Sequence, residues 1–283
     1  MTEIYLDDYH LHSLTQDLPT RVARGVSGLE SPDQRVDSYN NPGADGQTVA
    51  NILHGGRLIT LEGRIRGDDE ATYRSNRAAF HQLVGANRTT LGQYSPRTLK
   101  LTDSTGDDYR LNCVVQSLKN PDELPTTSVW QLQLLATDFR IYAETENTST
   151  ITLPISGGLT LPATLPATFG ASSGGSATIT NSGTVATPPV VRFYGPMINP
   201  SLTNATTGQT MGVSLTLVTG DVITIDMAAR TIIQGTNTNR MSAKTTSSKF
   251  WSLAPGENLM SLTATSFDSG YATITWRSAY IGL

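Results

Sequence analysis

The histidines are the residues of this sequence whose chemistry best suits a metal or catalytic site. His10 and His12 stand two positions apart, so in an extended segment they lie on one face, a spacing that metal ligands use. No recognisable pattern of Cys, His or acidic residues accompanies them, so we predict a solvated strand there and no metal centre. His54 lies beside a glycine turn and His81 in a helical segment, and neither indicates a catalytic triad.

The acidic segment from Asp103 to Asp108 holds three carboxylates and a glycine. Its spacing does not match the twelve-residue calcium loop of EF-hand proteins. A strand pattern ends at Leu101 and another begins at Tyr109, so we predict a hairpin turn between them.

The tripeptide Arg66-Gly67-Asp68 matches a known adhesion motif, which is a match that occurs often by chance. Its place between a strand pattern and a helix pattern favours a local role. We predict that it ends the strand and that Asp68 or Asp69 caps the helix.

No phosphate-binding loop, dinucleotide fingerprint, nucleophile elbow or zinc-protease motif is present in the sequence. The main enzymatic alternative is a glycosidase that brings together carboxylates from distant strands. The second half has few acids for such a site: Asp221, Asp226, Glu257 and Asp268. We therefore predict a protein that is not an enzyme and that uses no cofactor or metal.

Trp251, Trp276 and Tyr280 could present aromatic faces to a sugar ring. Trp276 alternates with Ile274 on an apolar face, which favours packing in the core. Trp251 is the contact residue of an alternative hypothesis, in which the protein is a carbohydrate-binding adhesin.

Composition argues against further classes of function. The net charge of −4 argues against a protein that binds nucleic acid by neutralising phosphates. No run of 18 apolar residues is present, so we expect no membrane insertion. The start, Met1 to Asp8, lacks the features of a signal peptide, and Cys113 is the single cysteine. These features predict a protein that is made and folded in a reducing cytoplasm.

Charge is divided unevenly along the chain. Residues 1–144 hold 14 of the 20 Lys and Arg and 19 of the 24 Asp and Glu. Between the halves lies a stretch rich in Pro, Gly and Ser, which is typical of a linker. We therefore predict a first domain at 1–145, a linker or arm at 146–178 and a second domain at 179–283.

Alternation of apolar and polar residues predicts a mainly β protein. In the first half the alternating apolar sets are Ile59, Leu61 and Ile65; Tyr109, Leu111, Cys113 and Val115; and Trp130, Leu132, Leu134 and Ala136. Helical spacing between Asp69 and Gly85 predicts one α-helix. In the second half short alternating pairs occur at Val191 and Phe193, Ile223 and Ile225, Leu262 and Ala264, and Ile274 and Trp276, which is typical of a β-sandwich.

The order and spacing of several segments together resemble siphophage distal tail proteins. The final stretch carries the strongest likeness: Phe250-Trp251 before the Pro255-Gly256 turn, and then Trp276-Arg277-Ser278-Ala279-Tyr280. Further segments are Gly28-Leu29 with Pro32, Ala44-Asp45-Gly46, Gly55-Gly56-Arg57, the run from Ala136 to Tyr142, Asn181-Ser182-Gly183 through Pro188-Pro189, Gly195-Pro196 with Asn199-Pro200, and Gly220-Asp221 leading to Asp226. Asp138-Phe139 departs from the Asp-Pro step expected at that point.

This resemblance implies an N-terminal β-sandwich that assembles into a ring, usually a hexamer, and a C-terminal galectin-like or jelly-roll sandwich. The implied protein is a structural part of a long non-contractile tail tip. It joins the tail tube protein to the tail hub and can carry a receptor-binding protein, and DNA is only passing cargo. The implied location is the virion, after assembly in the host cytoplasm. We take Gly55, Gly56 and Arg57 as the candidate subunit contact. The alternative hypothesis is a carbohydrate-binding adhesin or tail accessory protein that recognises the host surface.

Overall fold

The computed structural model describes residues 1–22, 26–85, 96–120, 123–154, 175–265 and 269–283. The chain divides into two units: residues 1–144 with 280–283, and residues 145–279. The mainly β fold with an α-helix that the sequence predicts is confirmed. Within the described ranges no helix has the length and hydropathy that a membrane crossing requires.

The first unit consists of strands around one helix. Its elements are β1 (Glu3–Leu6), β2 (Tyr9–Ser13), β3 (Thr20–Val22), β4 (Gln34–Asn40), β5 (Gln47–His54), β6 (Arg57–Arg66), α1 (Glu70–Gly85), β7 (Arg97–Thr102), β8 (Asp108–Lys119), β9 (Glu123–Leu124), β10 (Thr127–Ala136) and β11 (Ile141–Ala143). The final residues, Tyr280 to Leu283, also belong to this unit.

The main sheet of the first unit runs in the order β2-β1-β7-β8-β10-β6-β3. The long strand β8 belongs to both parts of this sheet, because residues 108–113 pair with β7 and residues 114–119 pair with β10. The predicted alternation on β6, β8 and β10 is confirmed, and their apolar side chains meet in one core. This core supplies the burial that holds the strands together.

The helix α1 begins as its sequence predicts. The carboxylate of Asp69 accepts a hydrogen bond of 2.7 Å from the backbone N–H of Thr72, which is the geometry of an N-cap. This hydrogen bond is the main cause that lowers the pKa of Asp69. Phe80 packs into the core with its ring centroid 5.1 Å from that of Trp130.

The ring of Trp130 occupies a space that only a glycine leaves open. Trp130 lies directly opposite Gly63 in the β10–β6 pair and is completely buried. A Cβ atom added to Gly63 would lie 2.3 Å from Cζ2 of Trp130 and 2.4 Å from the carbonyl oxygen of Arg21. Gly63 therefore positions Trp130, and through it α1, on the sheet.

The second unit is built from short strands. Its elements are β12 (Asn147–Thr152), β13 (Ser176–Asn181), β14 (Val190–Tyr194), β15 (Met197–Ile198), β16 (Ser201–Asn204), β17 (Gln209–Gly212), β18 (Thr216–Leu217), β19 (Val222–Asp226), β20 (Thr231–Gln234), β21 (Thr238–Asn239), a 3-10 turn (Met241–Ala243), β22 (Gly256–Thr263), β23 (Tyr271–Trp276) and β24 (Ala279–Tyr280), whose second residue belongs to the first unit.

These strands form two main sheets, in the orders β12-β23-β14-β19-β20-β21 and β13-β22-β16-β17. Their inward side chains share one apolar core, as the sandwich prediction requires. The completely buried Asn258 fixes the predicted Pro255-Gly256 turn, because its side chain bonds both the N–H and the carbonyl of Ala254 and the carbonyl of Gly256.

The segment predicted as a linker, residues 146–178, contains regular structure at both ends. Residues 147–152 form β12, which pairs along its full length with β23, and β13 begins at Ser176. The threonines of β12 gave no apolar alternation, and its place at the sheet edge explains why none is needed. The proline- and glycine-rich middle, residues 155–174, lies outside the described residues.

Candidate assembly surface

The described residues assemble no group of metal-ligand side chains. Within them, no cluster of three or more His, Cys, Asp or Glu side chains is arranged to hold a metal ion. Of the acids considered for a glycosidase, Asp221 and Asp226 accept backbone hydrogen bonds in their own turns. Asp268 lies outside the described residues.

The two nearby histidines lie in β2, so the predicted strand is confirmed, but His12 is not solvated. His10 stacks on Tyr5 and its Nε2 lies 2.5 Å from a carboxylate oxygen of Glu3. His12 is only 7% exposed, and burial, with a smaller effect of Arg21, lowers its pKa. Both histidines therefore contribute to packing within the first unit.

The acidic segment forms the predicted hairpin turn between β7 and β8. One carboxylate oxygen of Asp103 accepts hydrogen bonds from the backbone N–H groups of Thr105 and Asp107 and from the hydroxyl of Thr105. These bonds, led by that of the hydroxyl, lower the pKa of Asp103. Arg66 ends β6 and pairs with Asp17, so the tripeptide at 66–68 is a strand terminus, as predicted.

A shallow depression of about 310 Å³ lies on α1, lined by Arg74, Arg77, Ala78 and His81. Arg74 forms an ion pair with Glu70 one turn earlier on the helix. Among the described residues, its lining includes no carboxylate.

Gly55 and Gly56 pass close to backbone atoms of their own unit. The N–H of Gly55 donates a hydrogen bond of 2.8 Å to the carbonyl of Asp33. A Cβ atom added to Gly56 would lie 3.0 Å from the carbonyl oxygen of Ala136. The close backbone approach therefore occurs within the chain, and a subunit contact at these two glycines stays a prediction.

Arg57 is buried inside the first unit and does not present a surface to a neighbour. Its exposed fraction is 2%, and its guanidinium donates hydrogen bonds to four carbonyl oxygens. These belong to Gly28, Glu30, Phe139 and Ile281. The predicted role of Arg57 as a subunit contact is thus corrected, because all of these donors are directed at its own chain.

Trp251 belongs to the core of the second unit. Its exposed fraction is 3%, so neither ring face is available to stack on a sugar. Trp276 is also buried, as predicted, and its indole N–H donates to the carbonyl of Thr180. The hypothesis that Trp251 contacts carbohydrate therefore loses its physical basis.

The surface that stands out is a β-hairpin that sequence reasoning missed. Strands β4 and β5 pair only with each other among the described residues, and every residue of both strands is exposed. We call this hairpin, residues 34–54, the arm. Five large apolar side chains on it are 40–56% exposed: Val36, Tyr39, Val49, Ile52 and Leu53.

An uncovered arm of this kind favours association. A two-stranded hairpin is marginally stable alone, and its unpaired edges and apolar side chains favour association. Its base is fixed, because His54 lies with its ring 4.5 Å from that of Phe139. The turn signals at Pro42-Gly43 and Gly46 between two strand-forming runs could have predicted the hairpin.

Comparison with known proteins agrees with this architecture. Residues 182–280 match the family described as "Siphovirus-type tail component, C-terminal domain". No curated protein matches the chain. The Dit protein of phage SPP1 has a similar structure, with a TM-score of 0.66 at 14% identity, over 97% of this chain and 98% of that one.

A chain of the activated phage p2 baseplate with Sr is also similar, with a TM-score of 0.50 at 10% identity, over 96% of this chain and 97% of that one. At these identities the structural likeness concerns the fold. Together with the sequence match, it confirms the predicted resemblance: residues 182–280 match the siphovirus-type tail component family, and the chain has the fold of Dit-like distal tail proteins.

Proposed function

We propose that this protein is a non-enzymatic structural component of a siphophage tail tip, in which copies of the first unit assemble into a ring. The SPP1 Dit structure is described as a paradigm of the hub adsorption apparatus in phages that infect Gram-positive bacteria. The likeness in fold and the family match at residues 182–280 support the same general role here.

The observation that carries the ring proposal is the uncovered arm. A monomer leaves the aliphatic side chains of Val36, Val49 and Ile52 about half exposed to water. A contact between the arm of one copy and a different surface of the next copy removes them from water. Such a head-to-tail contact repeats until the ring closes.

The ring proposal includes its place in the particle. The ring is a hexamer in the virion, between the tail tube protein and the tail hub, and the second unit is a docking platform for a receptor-binding protein. The protein assembles in the host cytoplasm, and DNA passes through the ring as cargo. No observation favours the carbohydrate-binding alternative, because Trp251 is in the core.

Light scattering and negative-stain imaging of the purified protein test this proposal. A hexamer has six times the 30.3 kDa mass of the chain and shows a central hole. Replacing residues 35–53 by a short glycine-rich turn should give a folded monomer, and Leu14→Asp, at an equally exposed leucine outside the arm, should leave the ring intact. A monomer at every concentration up to the solubility limit contradicts the proposal.

A further inference from the structure

We propose that the arm docks on a specific apolar patch of a second copy, formed by Leu58, Val114 and Leu135. This inference rests on the proposed assembly of the first unit into a ring and names the two surfaces that meet. The arm face is defined by Val36, Val49 and Ile52. The sheet patch is defined by Leu58, Val114 and Leu135.

The strand register places the three aliphatic residues of the arm on one face. Val36 lies directly opposite Ile52, and Ser38 lies opposite Val49. Directly opposed residues share a face, as do residues two apart on one strand. Val36, Val49 and Ile52 are 49%, 52% and 53% exposed, so this face is apolar and uncovered.

Polar side chains border the arm face at the end nearer the tip of the hairpin. The hydroxyl of Ser38 donates to Gln47, whose amide N–H donates to Asn40, each at 3.0 Å. These groups satisfy one another within the arm. The charged Arg35 and Asp37 lie at alternate positions, on the opposite face. The arm face therefore carries no charge that docking would bury.

The sheet patch is a row across three neighbouring strands of the main sheet. Leu135 of β10 lies directly opposite Leu58 of β6 on one side and Val114 of β8 on the other. Leu58 and Leu135 are 45% and 38% exposed, and Val114 is half-buried. Their chain neighbours Ile59 and Leu134 point into the core, so the row lies on the outer face.

The patch also has a polar border. The next row of the same face contains Thr60, Gln133 and Ser117, which lie opposite one another on the three strands. The hydroxyl of Ser117 donates a hydrogen bond of 2.9 Å to Gln133. The patch is therefore a limited apolar area beside satisfied polar groups, which matches the arm face in kind and in number of aliphatic side chains.

A second copy of this chain is the occupant that these two surfaces favour. Each copy offers one arm face and one sheet patch, and both are uncovered within the described first unit. The two surfaces differ, so the contact is head to tail. Both surfaces of every copy are covered only when the series of contacts closes into a ring. An apolar contact without charges avoids the cost of burying an unpaired ion.

Disulfide trapping tests which surfaces meet. One chain carries Ile52→Cys and a second, size-tagged chain carries Leu135→Cys, and the mixture is oxidised and separated without reductant. We expect cross-linked dimers that contain one chain of each size. The matched control replaces Leu135→Cys by Leu14→Cys, which should give no mixed dimer. Cys113 is 1% exposed and does not compete.

Other modes of association would give cross-linked products of a different composition. Dimers of the Ile52→Cys chain with itself would mean that arms pack against arms, which overturns the proposal. Rings that assemble without any mixed dimer would also overturn it, while leaving the proposed function intact. Absence of self-association in the unmodified protein would contradict the proposed function and, with it, this inference.

Complementation of two inactive variants provides a second test. Val36→Asp with Ile52→Asp disables the arm, and Leu58→Asp with Leu135→Asp disables the patch. Each variant alone should be monomeric with an unchanged far-ultraviolet circular dichroism spectrum, since all four residues are exposed. Their mixture retains one working arm and one working patch per pair, so it should stop at twice the chain mass. A mixture that stays monomeric overturns the proposal.

Discussion

The guanidinium of Arg57 donates a hydrogen bond of 2.6 Å to the carbonyl oxygen of Ile281, a residue 224 positions further along the chain. The same side chain bonds the carbonyls of Gly28, Glu30 and Phe139. Three distant backbone segments of the first unit thus meet at one cation. Next to Ile281, the N–H of Leu283 donates to the carbonyl of Leu29, which ties the same segments together.

Removing the donors of Arg57 should destabilise the first unit strongly. Arg57→Met keeps most of the side-chain volume but leaves buried carbonyl oxygens without partners, so we expect the free energy of unfolding to fall by about 3 kcal/mol or more. Urea-induced unfolding measures this change. Arg64→Met, at an exposed arginine of the same strand, is the control. Equal midpoints for the two variants would show that the buried hydrogen bonds contribute little.

Gly63→Ala should destabilise the protein because its added methyl group meets the ring of Trp130. We expect a loss of about 1–3 kcal/mol in the free energy of unfolding, as for other overpacked cores. Gly85→Ala is the control, because a Cβ atom there has no neighbour within 4 Å, and it should be neutral or stabilising.

A double variant tests the steric cause. Trp130→Leu removes the ring that the new methyl group would strike, so the cost of Gly63→Ala should be smaller in that background than in the unmodified protein. Additive effects of the two substitutions would mean that the close contact with the carbonyl of Arg21 dominates instead.

Stability should decrease as pH falls below neutrality because of His12. Burial lowers the pKa of His12 below its ordinary value of 6.5, so the unfolded chain takes up a proton more readily than the folded chain does. The stabilisation is therefore complete above pH 6.5 and is lost as pH falls below that value. His12→Gln should flatten the dependence of the free energy of unfolding on pH between about 7.5 and 5. The same slope in His12→Gln and in the unmodified protein would contradict this prediction.

Cys113 should be unreactive in the folded protein. Burial raises the pKa of this thiol to about 12, with a smaller contribution from Asp7, so very little thiolate exists near neutral pH. We expect its reaction with a chromogenic disulfide reagent to be roughly a hundredfold or more slower than in urea. In Leu14→Cys one thiol should react fast and one slowly. Two fast thiols would contradict the buried position.

Sequence patterns predicted the elements whose two faces differ. β6 and β10 each bury every second residue, β8 buries Leu111 and Cys113 of its predicted set, and α1 has both an apolar face and an N-cap at Asp69. The arm escaped prediction because all of its residues are exposed, so burial imposes no alternation on it. β12 escaped because its polar threonines lie at a sheet edge.

The roles of Arg57 and of the pair Gly63 and Trp130 in the first unit could not be predicted from the sequence either, for a different reason. The partners of Arg57 are backbone carbonyls, which every residue type supplies, so no side-chain motif identifies them. The match between Gly63 and Trp130 depends on strand register across 67 positions. Such relationships require the pairing of strands to be known first.

The inclusion of Tyr280 to Leu283 in the first unit has a consequence for synthesis of the protein. A ribosome must translate all of the second unit before the segment that Arg57 holds becomes available. A chain that terminates early therefore bears the arm but lacks the partner of Arg57 at Ile281. The fold thereby couples completion of the first unit to translation beyond the second unit.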